Sequence, residues 1–232
     1  MLTAGIDLAA QPKRTGVVVL DWSGDVPRVT HAAAGATDEH LRDVVRAVAA
    51  AGGHVGIDCP LGWPRAFRAF VDAHATGRRL PVDGPDTASL RMRATDLHLR
   101  AELGIVPLSV STDRLGITAM RAAWLLQALA ADGVDVDRVG RGAVSEVYPA
   151  AARRVWGLPK GQVLDAVRAQ LPLDVPDDGA LKDEHVFDGL LAALVARAVT
   201  LGQTHGCPPH LEELAAEEGW LHVPSGRLDD LR

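Results

Sequence analysis

The sequence predicts an α/β fold: a mixed five-stranded sheet flanked by helices, with a mainly helical insertion after the fourth strand. Three observations predict it. Three short strand-like runs precede the first helical pattern, and that helix leads directly into a fourth run. The best-defined helix, near the end of the chain, carries an apolar stripe wide enough to lie against a sheet.

In order, Met1–Ala9 (MLTAGIDLA) sets Leu2, Ala4, Ile6 and Leu8 in a short apolar run and reads as a buried strand. It contains one acid, Asp7, and a carboxylate in low dielectric is costly unless it is protonated, hydrogen-bonded or bound to a cation. An exposed turn with Pro12, Lys13 and Arg14 leads to a second strand, Thr15–Trp22, and Pro27–Ala33 reads as a third. Thr37 caps a helix over Asp38–Ala51, with Leu41, Val44, Val45 and Val48 at helical spacing and Gly52 and Gly53 ending it. His54–Asp58 is a fourth strand, again ending in a carboxylate. This order suggests antiparallel strands followed by a helical crossover to a parallel one.

Pro64–Thr76 and Arg91–Leu103 read as helices, separated by an exposed loop at Gly77–Ser89 that holds Pro81, Gly84 and Pro85. Thr118–Ala131 is a further helix. Together they form an insertion over residues 64–140 within one domain spanning residues 1–232. Ala143–Tyr148 is the fifth strand, with Glu146 at its centre. Short helices at Ala150–Trp156 and Gly161–Gln170 follow, then the helix Asp183–Thr200, striped with Phe187, Leu190, Leu191, Leu194, Val195 and Ala198. Trp220–Val223 has the character of an edge strand.

The 232 residues, 47% apolar and 23% charged, suit a globular protein. No apolar run approaches the roughly 20 residues that cross a bilayer, so a membrane partner is not expected and a cytoplasmic location is the default. Two cysteines, Cys59 and Cys207, are too few for a disulfide scaffold or a thiolate zinc site. A net charge of −6 excludes overall basicity as the means of holding nucleic acid. Seven arginines between Arg65 and Arg100 leave room for a local basic face, although a solvated helix face is the plainer reading.

Four acids stand on apolar elements: Asp7, Asp58, Glu146 and Asp188. Taken singly, Asp58 can form a turn, Glu146 can pair with an arginine and Asp188 can make an ion pair on the helix flank. Brought together, their repulsion would be relieved by Mg²⁺ or Mn²⁺, which prefer oxygen ligands. Such a cluster is the machinery of phosphodiester hydrolysis, in which the metal activates water and shields phosphate charge.

Several motifs carry a resemblance: GIDLA at Gly5–Ala9, LDW at the end of the second strand, GIDCPLGWP at Gly56–Pro64 and RMRATD at Arg91–Asp96. SEVYPAA at Ser145–Ala151, FDGLLAAL at Phe187–Leu194 and EGWLHVP at Glu218–Pro224 complete it. In this order they resemble the family of predicted RNase H-like nucleases catalogued as domain of unknown function 429. The resemblance implies a ribonuclease H-like fold with Asp7, Asp58, Glu146 and Asp188 as catalytic and metal-binding acids. Gly189 stands where many relatives have Ala, a small departure. Arg93 and Asp96 match the family's RxxD piece, and Arg93 is expected either to bind a substrate phosphate or to neutralise a core acid. Lys13 and Arg14, beside Asp7, are further substrate-binding candidates. His185, one turn before Asp188, reads more plainly as a partly exposed helix residue than as a proton shuttle or ligand.

The leading expectation is therefore a metal-dependent nuclease acting on DNA or RNA with Mg²⁺ or Mn²⁺. One alternative is an actin-like or sugar-kinase-like phosphotransferase, which would call for a second copy of the fold and a second glycine-rich loop, neither seen in the sequence. The other is a non-catalytic RNase H-like binding module that keeps its acids for structure. A homodimer stays open.

Overall fold

The computed structural model describes residues 1–80 and 87–232, so Pro81, Gly84 and Pro85 of the expected loop lie outside the described residues. The strands are β1 (Leu2–Asp7), β2 (Gly16–Asp21), β3 (Arg28–Ala34), β4 (His54–Asp58), β5 (Val144–Val147) and β6 (Leu221–His222). They form one mixed sheet in the order β3-β2-β1-β4-β5-β6, consistent with a ribonuclease H-like fold. The first three are antiparallel neighbours, while β1, β4, β5 and β6 run parallel. The sheet thus has six strands rather than the expected five. The short segment in EGWLHVP pairs with β5 and closes that edge.

The helices are α1 (Asp38–Ala50), α2 (Arg65–Ala75), α3 (Ala88–Arg91), α4 (Ala94–Leu103), α5 (Gly116–Ala131), α6 (Pro149–Val155), α7 (Leu164–Arg168), α8 (Glu184–Thr200) and α9 (Glu212–Glu218). No helix among the described residues is long and apolar enough to cross a membrane. One core packs Val18, Leu20, Val29 and Val147 against α6 and α8; the other packs Ala4, Ile6, Val17, Val55 and Ile57 against α1 and α5. Strand alternation divides the sheet's residues between these two faces, and that division governs the site.

The helix expected over Arg91–Leu103 begins at Ala94, and Arg91 instead ends the separate short α3. Met92 and Arg93 are extended between α3 and α4, because the Asp96 carboxylate accepts the Arg93 backbone N–H at 2.9 Å and starts a new helix there.

Helix α8 is buried nearly all round and lies across β1, β2 and β4. Glycines let it come so close. A Cβ on Gly5 would stand 2.0 Å from the Gly189 carbonyl oxygen, and one on Gly16 would stand 2.2 Å from the His185 backbone. Gly5→Ala is therefore expected to push α8 from the sheet at a cost of about 3 kcal/mol, since overpacking against backbone has little means of relaxation. Urea unfolding would show it as a lower midpoint with an unchanged slope.

Candidate active site

Register places the acids. Asp7 and Asp58 are direct partners at the ends of the parallel strands β1 and β4. Gly5 and Gly56, two residues before each, abut α8, so by alternation both carboxylates lie on the α8 face of the sheet. Asp188 reaches the same face from α8. Glu146 does not: it is level with Ile57 on β5, and its neighbour Val147 occupies the α8-side core.

Each acid has its own setting. Asp7 Oδ2 lies 2.6 Å from His185 Nδ1, and burial, together with Asp188 and Glu184, pushes its carboxyl up to about 6 despite that hydrogen bond. His185, read from sequence as a bystander, is thus a direct partner of Asp7, with its side chain only 28% exposed. Asp58 is half-buried and has no hydrogen-bond or ion-pair partner among the described residues. Burial and the charges of Asp7, Asp188 and Glu146 drive its carboxyl well above the usual range. Asp188 Oδ1 accepts from Arg153 Nη2 at 2.9 Å, yet burial still raises its carboxyl.

Glu146 is committed elsewhere. Arg93 Nη1 and Nη2 each donate to it at 2.7 Å, and the Leu61 N–H donates at 2.9 Å. Arg93, 1% exposed, also binds Asp96 and the Glu218 carbonyl. Burial alone would lower the guanidinium's pKa, but Glu146 and Asp96 outweigh it and hold Arg93 firmly charged. Of the two roles open to Arg93, the structure shows neutralisation of a core acid. It has no donor directed at a substrate, and Glu146, expected as a ligand and catalytic group, is the acid it neutralises.

Lys13 and Arg14 are exposed in the turn between β1 and β2, lining a groove with Gln11, Thr118 and His185. Arg121 fixes that turn. It is buried in α5 and donates to the Ala9 carbonyl at 2.7 Å, Thr15 Oγ1 at 2.6 Å and the Ala36 carbonyl at 3.2 Å. Sequence reasoning missed it, although a single charge in the apolar run Gly116–Ala131 was the available signal. It also missed Arg153 and Glu218. Glu218 accepts the Arg65 N–H at 2.6 Å and the Ala94 N–H at 2.7 Å, tying α9 to the starts of α2 and α4.

A pocket of about 220 Å³ opens above Asp7 and Asp58, walled by Pro60, Pro107, Leu115 and Tyr148 and reached also by the Arg93–Glu146 pair. Two level carboxylates with no base between them suit a hard divalent cation. Mg²⁺ in particular is commonly held by one or two carboxylates plus waters and substrate phosphate. Among the described residues no three His, Cys, Asp or Glu side chains form a ready cage, so Asp188 would have to turn from Arg153 to become a third ligand.

A family described as "Protein of unknown function (DUF429)" matches residues 5–213. No curated protein and no solved structure gives a match.

Proposed function

The chain belongs to the DUF429 family, and from that premise we propose that it is a divalent-metal-dependent nuclease hydrolysing phosphodiester bonds. The observation that carries this reading is the pairing of Asp7 with Asp58 at the ends of adjacent parallel strands, with no basic side chain bridging them. Asp7 and Asp58 would hold Mg²⁺ or Mn²⁺, and Asp188 would join them. When bound, the ion supplies an activated water and shields the phosphate. His185 orients Asp7 through its 2.6 Å contact, leaving the other carboxylate oxygen for the ion. Lys13 and Arg14 would meet the substrate backbone, and Glu146 serves the frame that Arg93 builds. The described residues contain one such sheet, which favours this reading over an actin-like one built from two.

The test is a panel of single-stranded, duplex, hybrid and branched substrates with Mn²⁺ and with chelator. Metal-dependent cleavage of one class is expected, and silence across the panel sinks the reading. For any nucleic acid that binds, Lys13→Ala with Arg14→Ala is expected to reduce the slope of log affinity against log salt by about two, one for each phosphate the pair no longer neutralises. An unchanged slope would remove the turn from the binding surface.

A further inference from the structure

We propose that the pocket above the aspartates admits one unpaired nucleotide, making single strands or frayed ends the substrate and excluding the interior of a duplex. This rests on the nuclease reading and deepens it. Asp7 and Asp58 line the pocket together with Pro107, Leu108 and Leu115 from the segment between α4 and α5. Its volume, about 220 Å³, is below the roughly 300 Å³ at which pockets for drug-sized ligands begin. That leaves room for a single nucleotide with its phosphate toward Asp7 and Asp58.

A duplex carries its phosphates on the outside of a cylinder with grooves about 12 and 6 Å wide. It cannot bring one nucleotide into a pocket of about 220 Å³ without unpairing, which an already unpaired nucleotide does not require. The wall chemistry matches. Tyr148, half-buried, packs against the small core cluster that holds Leu99, Ile105 and Leu221, and it lines the pocket. Asp7 and Asp58 line the same pocket, so its ring stands beside the acids. A fixed aromatic ring there offers a base a sequence-tolerant stacking surface. Leu108, 56% exposed, stands at the rim.

The experiment measures binding rather than turnover. Asp7→Asn protein with Mg²⁺ is titrated by fluorescence anisotropy into a labelled single strand, the blunt duplex of the same sequence and that duplex with a single-stranded overhang. The single strand and the overhang are expected to bind at least about tenfold more tightly than the blunt duplex. Tyr148→Ala should remove about tenfold of that affinity, and Tyr148→Phe should keep it. Because Tyr148 also packs into the core, Leu108→Trp provides an independent arm. It obstructs the mouth from an exposed position and should weaken single-strand binding by a similar factor. Equal affinity for blunt duplex and single strand, or indifference to Leu108→Trp, overturns the pocket proposal while leaving the nuclease reading standing. Failure to bind any nucleic acid, with no cleavage by the wild-type protein, overturns both.

Discussion

Asp7→Asn is expected to raise the midpoint of thermal unfolding at about pH 7.5 by roughly 5 to 10 °C while lowering metal-dependent cleavage at least about 100-fold. Burial lifts the Asp7 carboxyl to about 6 in the folded protein, against 3.8 for an unperturbed aspartate. Well below pH 3.8 the group is protonated in both folded and unfolded chains and exacts nothing. As pH rises through that window the unfolded chain ionises first, and folding is penalised progressively until the folded carboxyl ionises too, near pH 6. Above that the full penalty, about 2 to 3 kcal/mol, applies. Asparagine keeps an oxygen for His185 Nδ1 and carries no charge, so the variant escapes the penalty. Its advantage should therefore be largest above pH 6 and vanish below about pH 3. Mn²⁺ should reverse the ranking, because a cation that binds only the folded wild-type carboxylates stabilises that protein alone. Differential scanning fluorimetry over pH, with and without Mn²⁺, checks both parts. A variant less stable at every pH, or an equal Mn²⁺ shift in both proteins, would contradict the reading of Asp7 as a carboxylate held in readiness for a cation.

How far each feature is legible in the sequence follows from how locally it is encoded. β1, β2, β3 and β4 announce themselves through short apolar runs bounded by turn residues, and α1 through Thr37, whose side chain accepts the His40 N–H at 3.3 Å. Cross-strand register is not encoded locally. That Glu146 is level with Ile57 and not with Asp58 decides which face it points to, and a slip of one residue would have placed it with the other acids. The contact of His185 with Asp7 is hidden for a related reason. It depends on α8 crossing the sheet at Gly5 and Gly16, which reveal nothing of their packing until the helix is laid on them. Arg93 misleads in another way, since RMRATD has the composition of a continuous helix. The break appears only because Asp96 folds back on the Arg93 backbone. Glu218, in a run of acids, looks like solvent-facing charge and is 3% exposed.

Glu146→Gln should do the opposite of Asp7→Asn: it is expected to cost about 3 kcal/mol and lower the unfolding midpoint by roughly 6 to 12 °C. The side chain is 2% exposed and accepts three hydrogen bonds, two from Arg93 and one from the Leu61 N–H. Glutamine has nearly the same shape but turns one acceptor into a donor, so at least one of those N–H groups faces another N–H with no water to relieve it. Arg93 keeps Asp96, but the loss of a buried anionic partner from a desolvated guanidinium is among the few single changes that cost this much. Burial raises the Glu146 carboxyl as it does that of Asp7, so what separates the two acids is the pair of guanidinium hydrogen bonds that Glu146 accepts and Asp7 does not. A buried carboxylate with no guanidinium partner is destabilising while the cation is absent, so its amide variant gains stability. A carboxylate already satisfied by a guanidinium loses stability when neutralised, with or without metal. Chemical denaturation of the Glu146→Gln protein in chelator decides between them. A gain in stability there would return Glu146 to the company of Asp7 and Asp58, and would mean that the contact with Arg93 does not offset the burial of its charge.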